Sequence, residues 1–271
     1  MIIALLGKSG AGKTYIAKEM EKYIKDSFVI DGDELRAETD NLDISLSGRE
    51  QNMHLGYSRA RRLSDLGFTV FIAMQAPIKE IREKYLNKFD KQILIINNGK
   101  NPKDEKGYNK NFSPDYSGID SEYILQDFNQ KDFYDKFFPK VLVPARFQGF
   151  HKGHKVVLEE AKRISPNVTV GLRVDEGDVI DLYENVKLLN SKGYKTVTTP
   201  KITEDWTSFA NRYDFYVQGN PMVIEKFKKS KCELIFVPRY GDVSGTSIRN
   251  NLKENKNNID EDVMELVKKY T

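Results

Sequence analysis

Cysteine is nearly absent from this 271-residue chain, where Cys232 stands alone. A single thiol excludes an intrachain disulfide and any zinc site built from cysteines, so a reducing, cytoplasmic setting is expected. Long apolar runs are missing too: none approaches the ~20 residues that a membrane-spanning helix needs, and no membrane contact is expected. The opening MIIALLGKSG has a short apolar start and no basic leader, which reads as a buried first strand rather than a signal peptide. Nor does one sign of charge dominate. Net charge is +3 overall, −1 for residues 1–138 and +4 for the remainder, too little for extended nucleic-acid binding. Small anionic partners such as nucleotides and phosphorylated metabolites need only local positive charge. What is present, 39% hydrophobic and 31% charged residues, suits a folded protein with length for two domains. A homo-oligomer stays open.

The apolar run Ile2–Leu6 leads directly into Gly7-Lys8-Ser9-Gly10-Ala11-Gly12-Lys13-Thr14 and then a helical pattern. This is the G-x-x-x-x-G-K-[ST] phosphate-binding loop in its strand–loop–helix setting. Its glycines let backbone N–H groups turn around phosphates, Lys13 reaches the β/γ-phosphates, and the Thr14 hydroxyl is placed to ligate Mg²⁺. ATP is the expected ligand.

A second strand, Ser27–Ile30, ends in Asp31-Gly32-Asp33-Glu34-Leu35-Arg36. Carboxylates just past a parallel strand sit at the carboxyl edge of the sheet, beside the phosphate loop. There one could hold a metal-bound water or take a proton from an attacking hydroxyl. An Asx-turn with Asp33 as helix cap is the alternative. Leu46–Asn52 follows, then a helix through SRARRLSDLGF and a third strand at Thr69–Ala73.

The order P-loop, D-G-D-x-x-R, S-x-x-R-x-x-N and F-I-x-x-x-x-P resembles adenylylsulfate kinase. The similarity extends to Lys106-Gly107-Tyr108 and to Tyr116-Ser117-Gly118-Ile119-Asp120-Ser121-Glu122-Tyr123. The family phosphorylates the 3′-hydroxyl of adenosine 5′-phosphosulfate with ATP and Mg²⁺. The resemblance implies phosphate binding by Gly10, Gly12, Lys13 and Thr14, and metal or base duty for Asp33. It implies acceptor binding by Asp31, Arg36, Arg49 and Asn52, with Ile119 packing the acceptor's base. A planar guanidinium matches phosphate or sulfate oxygens well. His54 stands where the family carries arginine.

Residues 124–139 are aromatic and charged and read as a short helix and connector, giving domains 1–138 and 139–271. A new strand, Lys140–Pro144, runs into Ala145-Arg146-Phe147-Gln148-Gly149-Phe150-His151-Lys152-Gly153-His154 and a helix, KVVLEEAKRI. Two of the chain's three histidines fall in this one tetrapeptide. At a strand-to-helix turn, imidazoles at i and i+3 can both face a phosphate on the helix N-terminus; zinc binding or helix capping are the alternatives.

The segment resembles the HxGH nucleotidyltransferases, nearest the nicotinamide-mononucleotide adenylyltransferase type. Val217-Gln218-Gly219-Asn220-Pro221 resembles that family's G-N-P pocket segment, and Ser244-Gly245-Thr246-Ser247-Ile248-Arg249 its I-S-[GS]-T-x-x-R signature. The resemblance implies an α/β fold, a P-loop parallel-sheet domain followed by a Rossmann-like one. It implies nucleotide binding by Phe147, Lys152, Gly219, Asn220, Ser244, Thr246 and Ser247. His151, His154 and Arg249 would stabilise charge on the phosphates as pyrophosphate leaves. Arg173 and the acidic turn 175–178 fall at the same sheet edge, where helix capping by acids is the favoured reading; Trp206 reads as packing. The two halves together imply a bifunctional enzyme, a nucleotidyltransferase joined to a kinase for a nucleotide ribose. The alternatives are a kinase fused to a transferase for a phosphorylated metabolite outside sulfate chemistry, and a nucleotide sensor without turnover.

Overall fold

Five consecutive apolar residues form β1 (Ile2–Leu6), and all five are buried. Burial on both faces is the signature of an interior parallel strand, and β1 pairs in parallel on both sides. The computed structural model describes residues 1–85, 88–97, 114–119, 121–174, 178–200, 206–220, 227, 230–238 and 244–270. The chain divides into two units, Met1–Phe137 and Phe138–Thr271. Each holds its own five-stranded sheet, parallel at every described pairing.

In the first unit, β1 is followed by α1 (Lys13–Tyr23), β2 (Ser27–Asp31), α2 (Gly32–Glu38), α3 (Leu46–Asp65), β3 (Thr69–Met74), α4 (Lys79–Glu83), β4 (Lys91–Ile96), β5 (Ser121–Ile124) and α5 (Gln130–Phe137). The sheet order is β2-β3-β1-β4-β5. The chain leaves β1 toward β2 on one side and reaches β4 on the other, so the order reverses at β1. A crevice at the carboxyl ends of strands opens at such a point, and the Gly7–Thr14 loop emerges there. The edge strand β5 alternates intermediate and exposed residues, whereas β3 is buried throughout.

One helix, α3, covers both the Leu46–Asn52 stretch and SRARRLSDL, where the sequence pattern predicted a helix only for the latter. Ser45 caps it by accepting from the Gly48 N–H at 3.3 Å. Gly48 weakens the helical pattern, yet the Asp43 backbone packs where its side chain would be, so no larger residue fits. Arg49 and Asn52 therefore project from a helix. The connector helix α5 buries Phe133 and Phe137, with Tyr123 edge-on to Phe133 at 5.0 Å. The Lys106–Tyr108 segment and Asp120 lie outside the described residues.

The second unit contains β6 (Val141–Ala145), α6 (Lys152–Ile164), β7 (Val168–Leu172), α7 (Leu182–Ser191), β8 (Lys195–Thr198), α8 (Thr207–Ala210), β9 (Phe215–Gln218), β10 (Glu233–Phe236), α9 (Gly245–Asn250), α10 (Leu252–Asn255) and α11 (Glu261–Tyr270). Its sheet order is β10-β9-β6-β7-β8. β6 and β7 are buried, while the edges β8 and β10 are exposed at both ends. The order reverses at β6, and the arginine- and histidine-bearing loop leaves from its carboxyl end. Trp206 is packing: it is buried, with Phe227 edge-on at 5.3 Å. Lys192 and Lys155 grip Asp260 at 3.1 and 2.5 Å, anchoring the segment before α11. Pro221 and residues 175–177 lie outside the described residues.

Candidate functional site

In the first unit, β1 delivers the chain into a loop that only glycine can start. A Cβ on Gly7 would stand 2.6 Å from the Ile95 carbonyl oxygen, and its φ is +141°. At the far end, Gly12 takes a left-handed conformation, and no side chain caps the first turn of α1. The early N–H groups of α1 thus meet no capping oxygen, which suits them to an anion. Ala11 is buried, holding the loop against the sheet.

A cleft of about 380 Å³ opens beside this loop. It brings Ser9, Gly10, Gly12, Lys13 and Thr14 together with Asp31, Asp33, Arg36, Arg49 and Asn52. Lys13 is buried, and its ammonium donates to the Lys8 carbonyl at 2.7 Å. Burial lowers its pKa to about 8, against the pull of Asp33 and then Asp31. A phosphate in the cleft would restore the cation's stability, because an opposite charge offsets desolvation.

Asp31, not Asp33, is the helix cap. Its Oδ1 accepts from the Asp33 N–H at 2.8 Å and the Glu34 N–H at 3.2 Å, while Oδ2 accepts from the Thr14 hydroxyl at 2.5 Å. Asp31 has extended φ/ψ at the strand's end, the geometry that capping needs. Asp33 falls inside the first turn and is exposed to the cleft.

Arg36 donates to the carbonyls of Asn41 and Asp43 at 3.1 and 2.7 Å, and Arg49 to that of Ile44 at 2.8 Å. Both guanidiniums therefore also brace the 41–44 loop. Asn52 is buried at the cleft and donates to the Gly32 carbonyl at 3.2 Å, but its Oδ1 has no partner among the described residues. A buried acceptor without a partner costs ~1–3 kcal/mol, and a ligand's hydroxyl or amine would satisfy it. Ile119 does not line the cleft. It packs on the apolar cluster that includes Ile72 and Ile81, and Met53, Ile78 and Ile81 supply the cleft's apolar wall instead.

In the second unit, β6 and α6 meet at His151. His151 Nδ1 accepts from the Gly153 N–H at 3.1 Å, and His154 Nδ1 from the His151 N–H at 3.3 Å. The two rings thus form a reciprocal capping box, one of the alternatives the sequence left open. Capping and ligand binding are compatible here. A neutral imidazole that accepts at Nδ1 carries its proton on Nε2, so each ring keeps one N–H donor. Burial lowers His151 to about 4, and burial together with His151 also lowers His154. Both shifts favour the uncharged imidazole near neutral pH.

The surrounding residues converge on the same loop. Phe147, at φ +51°, lies 4.6 Å from the His154 ring centroid. Arg249 donates to the Gln148 carbonyl at 2.6 Å and to the Thr246 hydroxyl at 3.4 Å. Ser244 and Ser247 cap α9 reciprocally, so both hydroxyls already have partners. Gly219 is buried, and a Cβ there would stand 2.9 Å from the Val237 oxygen. Lys152 is exposed in the first turn of α6, and Asn220 is partly exposed just past β9.

Residues 1–123 match the family model for adenylylsulphate kinase. Residues 1–123 are an adenylylsulphate kinase family domain. That match ends before the second unit, and no curated protein matches the chain. Among solved structures, the APS kinase CysC of Mycobacterium tuberculosis in complex with AMPPNP and APS is 24% identical, over 35% of this chain and 62% of that one, with a TM-score of 0.26. Thermotoga maritima TmcAL bound with alpha-thio ATP is 14% identical, over 48% of this chain and 55% of that one, with a TM-score of 0.37. APE1195 is 21% identical, over 35% and 59%, with a TM-score of 0.32. The chain spans less than two thirds of the length of each.

For the kinase domain, the donor set fits Mg²⁺. Thr14 Oγ1 and the Asp31 and Asp33 carboxylates are hard oxygen donors at the end of the phosphate loop. No cluster of three or more His, Cys, Asp or Glu residues able to hold a metal occurs among the described residues. Mg²⁺ suits such a sparse site, since it keeps waters and takes phosphate oxygens instead of a full protein cage. Sequence reasoning missed Arg82 in this domain. It is buried and donates to the carbonyls of Ala76 and Ser117 at 3.0 and 2.9 Å, fixing Ala76 at φ +40° on the cleft rim. No motif signals that role, because its described hydrogen-bond acceptors are all main-chain carbonyls. Among the described residues, no helix is long and apolar enough to cross a membrane.

Proposed function

We propose that the chain is a bifunctional enzyme whose first unit transfers the γ-phosphoryl of ATP to a nucleotide hydroxyl, with the 3′-hydroxyl of adenosine 5′-phosphosulfate as the leading acceptor. One observation carries this reading: the phosphate loop and the D-G-D-x-x-R, R and N side chains share a single cleft. Asp33 takes the proton of the attacking hydroxyl. The hydroxyl oxygen bonds to the γ-phosphorus, the bond from that phosphorus to the bridging oxygen breaks, and ADP leaves. Lys13 and the α1 N–H groups stabilise the phosphates, and Arg36 and Arg49 orient the acceptor's anionic end. A Mg²⁺ on Thr14 and the aspartates would neutralise phosphate charge.

For the second unit, nucleotidyl transfer is the reading that the resemblance and the geometry support together. An anionic oxygen of an acceptor attacks the α-phosphorus of a nucleoside triphosphate, the α–β bridge breaks, and pyrophosphate leaves. His151 and His154 offer two neutral N–H donors, and Arg249 and Lys152 offer positive charge. No covalent enzyme intermediate is needed.

The test is to measure ADP and pyrophosphate separately, with ATP and a panel of acceptors. ADP release stimulated by adenosine 5′-phosphosulfate supports the kinase reading. Nucleotide binding with neither product would leave only a sensor.

A further inference from the structure

The carboxyl end of β3 forms a rim of the kinase cleft, and its backbone is kinked. β3 lies between β1 and β2 in the sheet, so this end stands between the phosphate loop and the start of α2. Met74 packs at that start, with its Cγ 3.1 Å from where a Gly32 Cβ would be. Two residues on, Ala76 has φ +40°, a left-handed conformation that is costly for a residue with a Cβ. Pro77 follows, and the residue before a proline is ordinarily held to extended backbone. Ala76 and Pro77 both line the cleft, together with Ile78 and Ile81. Such a kink persists only where its surroundings hold it.

Arg82 is the group that holds it. α4 places Ile81 in the cleft wall, while Arg82, one residue on, is 3% exposed and does not line the cleft. Its Nη1 donates to the Ala76 carbonyl at 3.0 Å and also to the Asp115 carbonyl, and its Nη2 to the Ser117 carbonyl at 2.9 Å. The guanidinium carbon lies 5.6 Å from the Tyr116 ring centroid. Residues 115–117 thus wrap one guanidinium, and the rim supplies its other described acceptor. The two segments also touch directly, since the Asp115 N–H donates to the Pro77 carbonyl at 2.9 Å. Asp115 closes the turn through its Oδ1, which accepts from the Ser117 N–H at 2.8 Å. Ile119 then seats the segment on the apolar cluster that includes Ile81.

A cation taken out of water is costly unless hydrogen bonds replace its hydration. Here the replacement comes from carbonyls of two segments that lie far apart in sequence. A planar fork serves acceptors in several directions at once, which an ammonium or a neutral amide does less well. None of these bonds involves residues 7–14, so the clamp belongs to the acceptor end of the cleft and not to the phosphate loop.

We infer that Arg82 is a positioning residue for the acceptor of phosphoryl transfer: it ties the Ala76–Pro77 rim to residues 115–117 and so fixes the shape of the cleft where the acceptor lies. It acts through the backbone it binds. The inference rests on the kinase reading of the first unit.

The experiment is steady-state kinetics of ADP release by the full-length protein, varying adenosine 5′-phosphosulfate and ATP in turn. Arg82→Gln should raise KM for adenosine 5′-phosphosulfate about tenfold or more and leave KM for ATP within about twofold. Arg82→Lys, which keeps the cation, should show the same split at a smaller size, roughly threefold. Glycine adopts φ +40° without strain, so adding Ala76→Gly to Arg82→Gln should lower the raised acceptor KM by about threefold or more. Equal rises in both KM values, or no recovery on adding Ala76→Gly, make Arg82 a general stabiliser and overturn the role. An unchanged acceptor KM overturns it too. If Arg82→Gln does not fold, the split in Arg82→Lys decides on the same terms. Failure of the kinase reading looks different: the unmodified protein then releases no ADP in response to adenosine 5′-phosphosulfate, and the clamp loses its acceptor with it.

Discussion

Both units place a strand-to-helix turn at the point where their sheet order reverses, yet the two turns are finished differently. In the first, Gly12 leaves the start of α1 without a side-chain cap, which suits its backbone N–H groups to an anion. In the second, His151 and His154 close the start of α6 through their Nδ1 atoms. The same backbone geometry therefore carries two different groups at the turn, main-chain amides beside a buried ammonium in one unit and two imidazoles near an arginine in the other. Burial lowers the pKa of the ammonium in the first and of both imidazoles in the second.

The largest expected break in this comparison comes from Lys13→Ala. ADP formation should fall by at least ~100-fold, as for other lost transition-state donors, while pyrophosphate formation persists; an assay of both products in one reaction checks it. His154→Ala should do the converse, lowering pyrophosphate formation by about 100-fold and sparing ADP. An unaffected pyrophosphate rate there would reduce the histidines to capping alone.

A smaller effect separates the two turns by pH. The first unit's triphosphate affinity should decline as pH rises through and above about 8, where Lys13 loses its proton; equilibrium dialysis from pH 7 to 10 reads it. The second unit should show the opposite kind of sensitivity, in stability. Unfolded histidine takes up a proton near ~6.5, whereas folded His151 resists protonation until about 4. Stability is therefore complete above the unfolded value and is lost as pH falls from there toward 4, by something on the order of 3 kcal/mol. His151→Asn keeps a capping oxygen without the titration, so its acid unfolding curve should be flatter. Superimposable curves for the two proteins would contradict the assignment.

Legibility in the sequence followed the physics of each element. Strands β1 and β3 were readable because burial on both faces leaves an unbroken apolar run. The phosphate loop was readable because its glycines and Lys13–Thr14 are required by backbone geometry and charge together. The start of α3 was not, since Gly48 looks like a helix breaker until the packing of Asp43 is known. The cap at α2 was misplaced by two residues because Asp31 and Asp33 have the same chemistry, and only the strand's end decides between them. Ile119, expected beside the acceptor's base, is partly buried and packs against the first unit's apolar cluster. The Gln148 clamp was not legible either, because it joins residues 32 positions apart in sequence.

The most direct test of two separate nucleotide-handling units is a count of triphosphate sites. Equilibrium binding of non-hydrolysable ATP and CTP analogues, with Mg²⁺, should give two sites per chain in the unmodified protein and one in Lys13→Ala. A single site in the unmodified protein, or loss of all binding in a folded Lys13→Ala variant, would contradict the account.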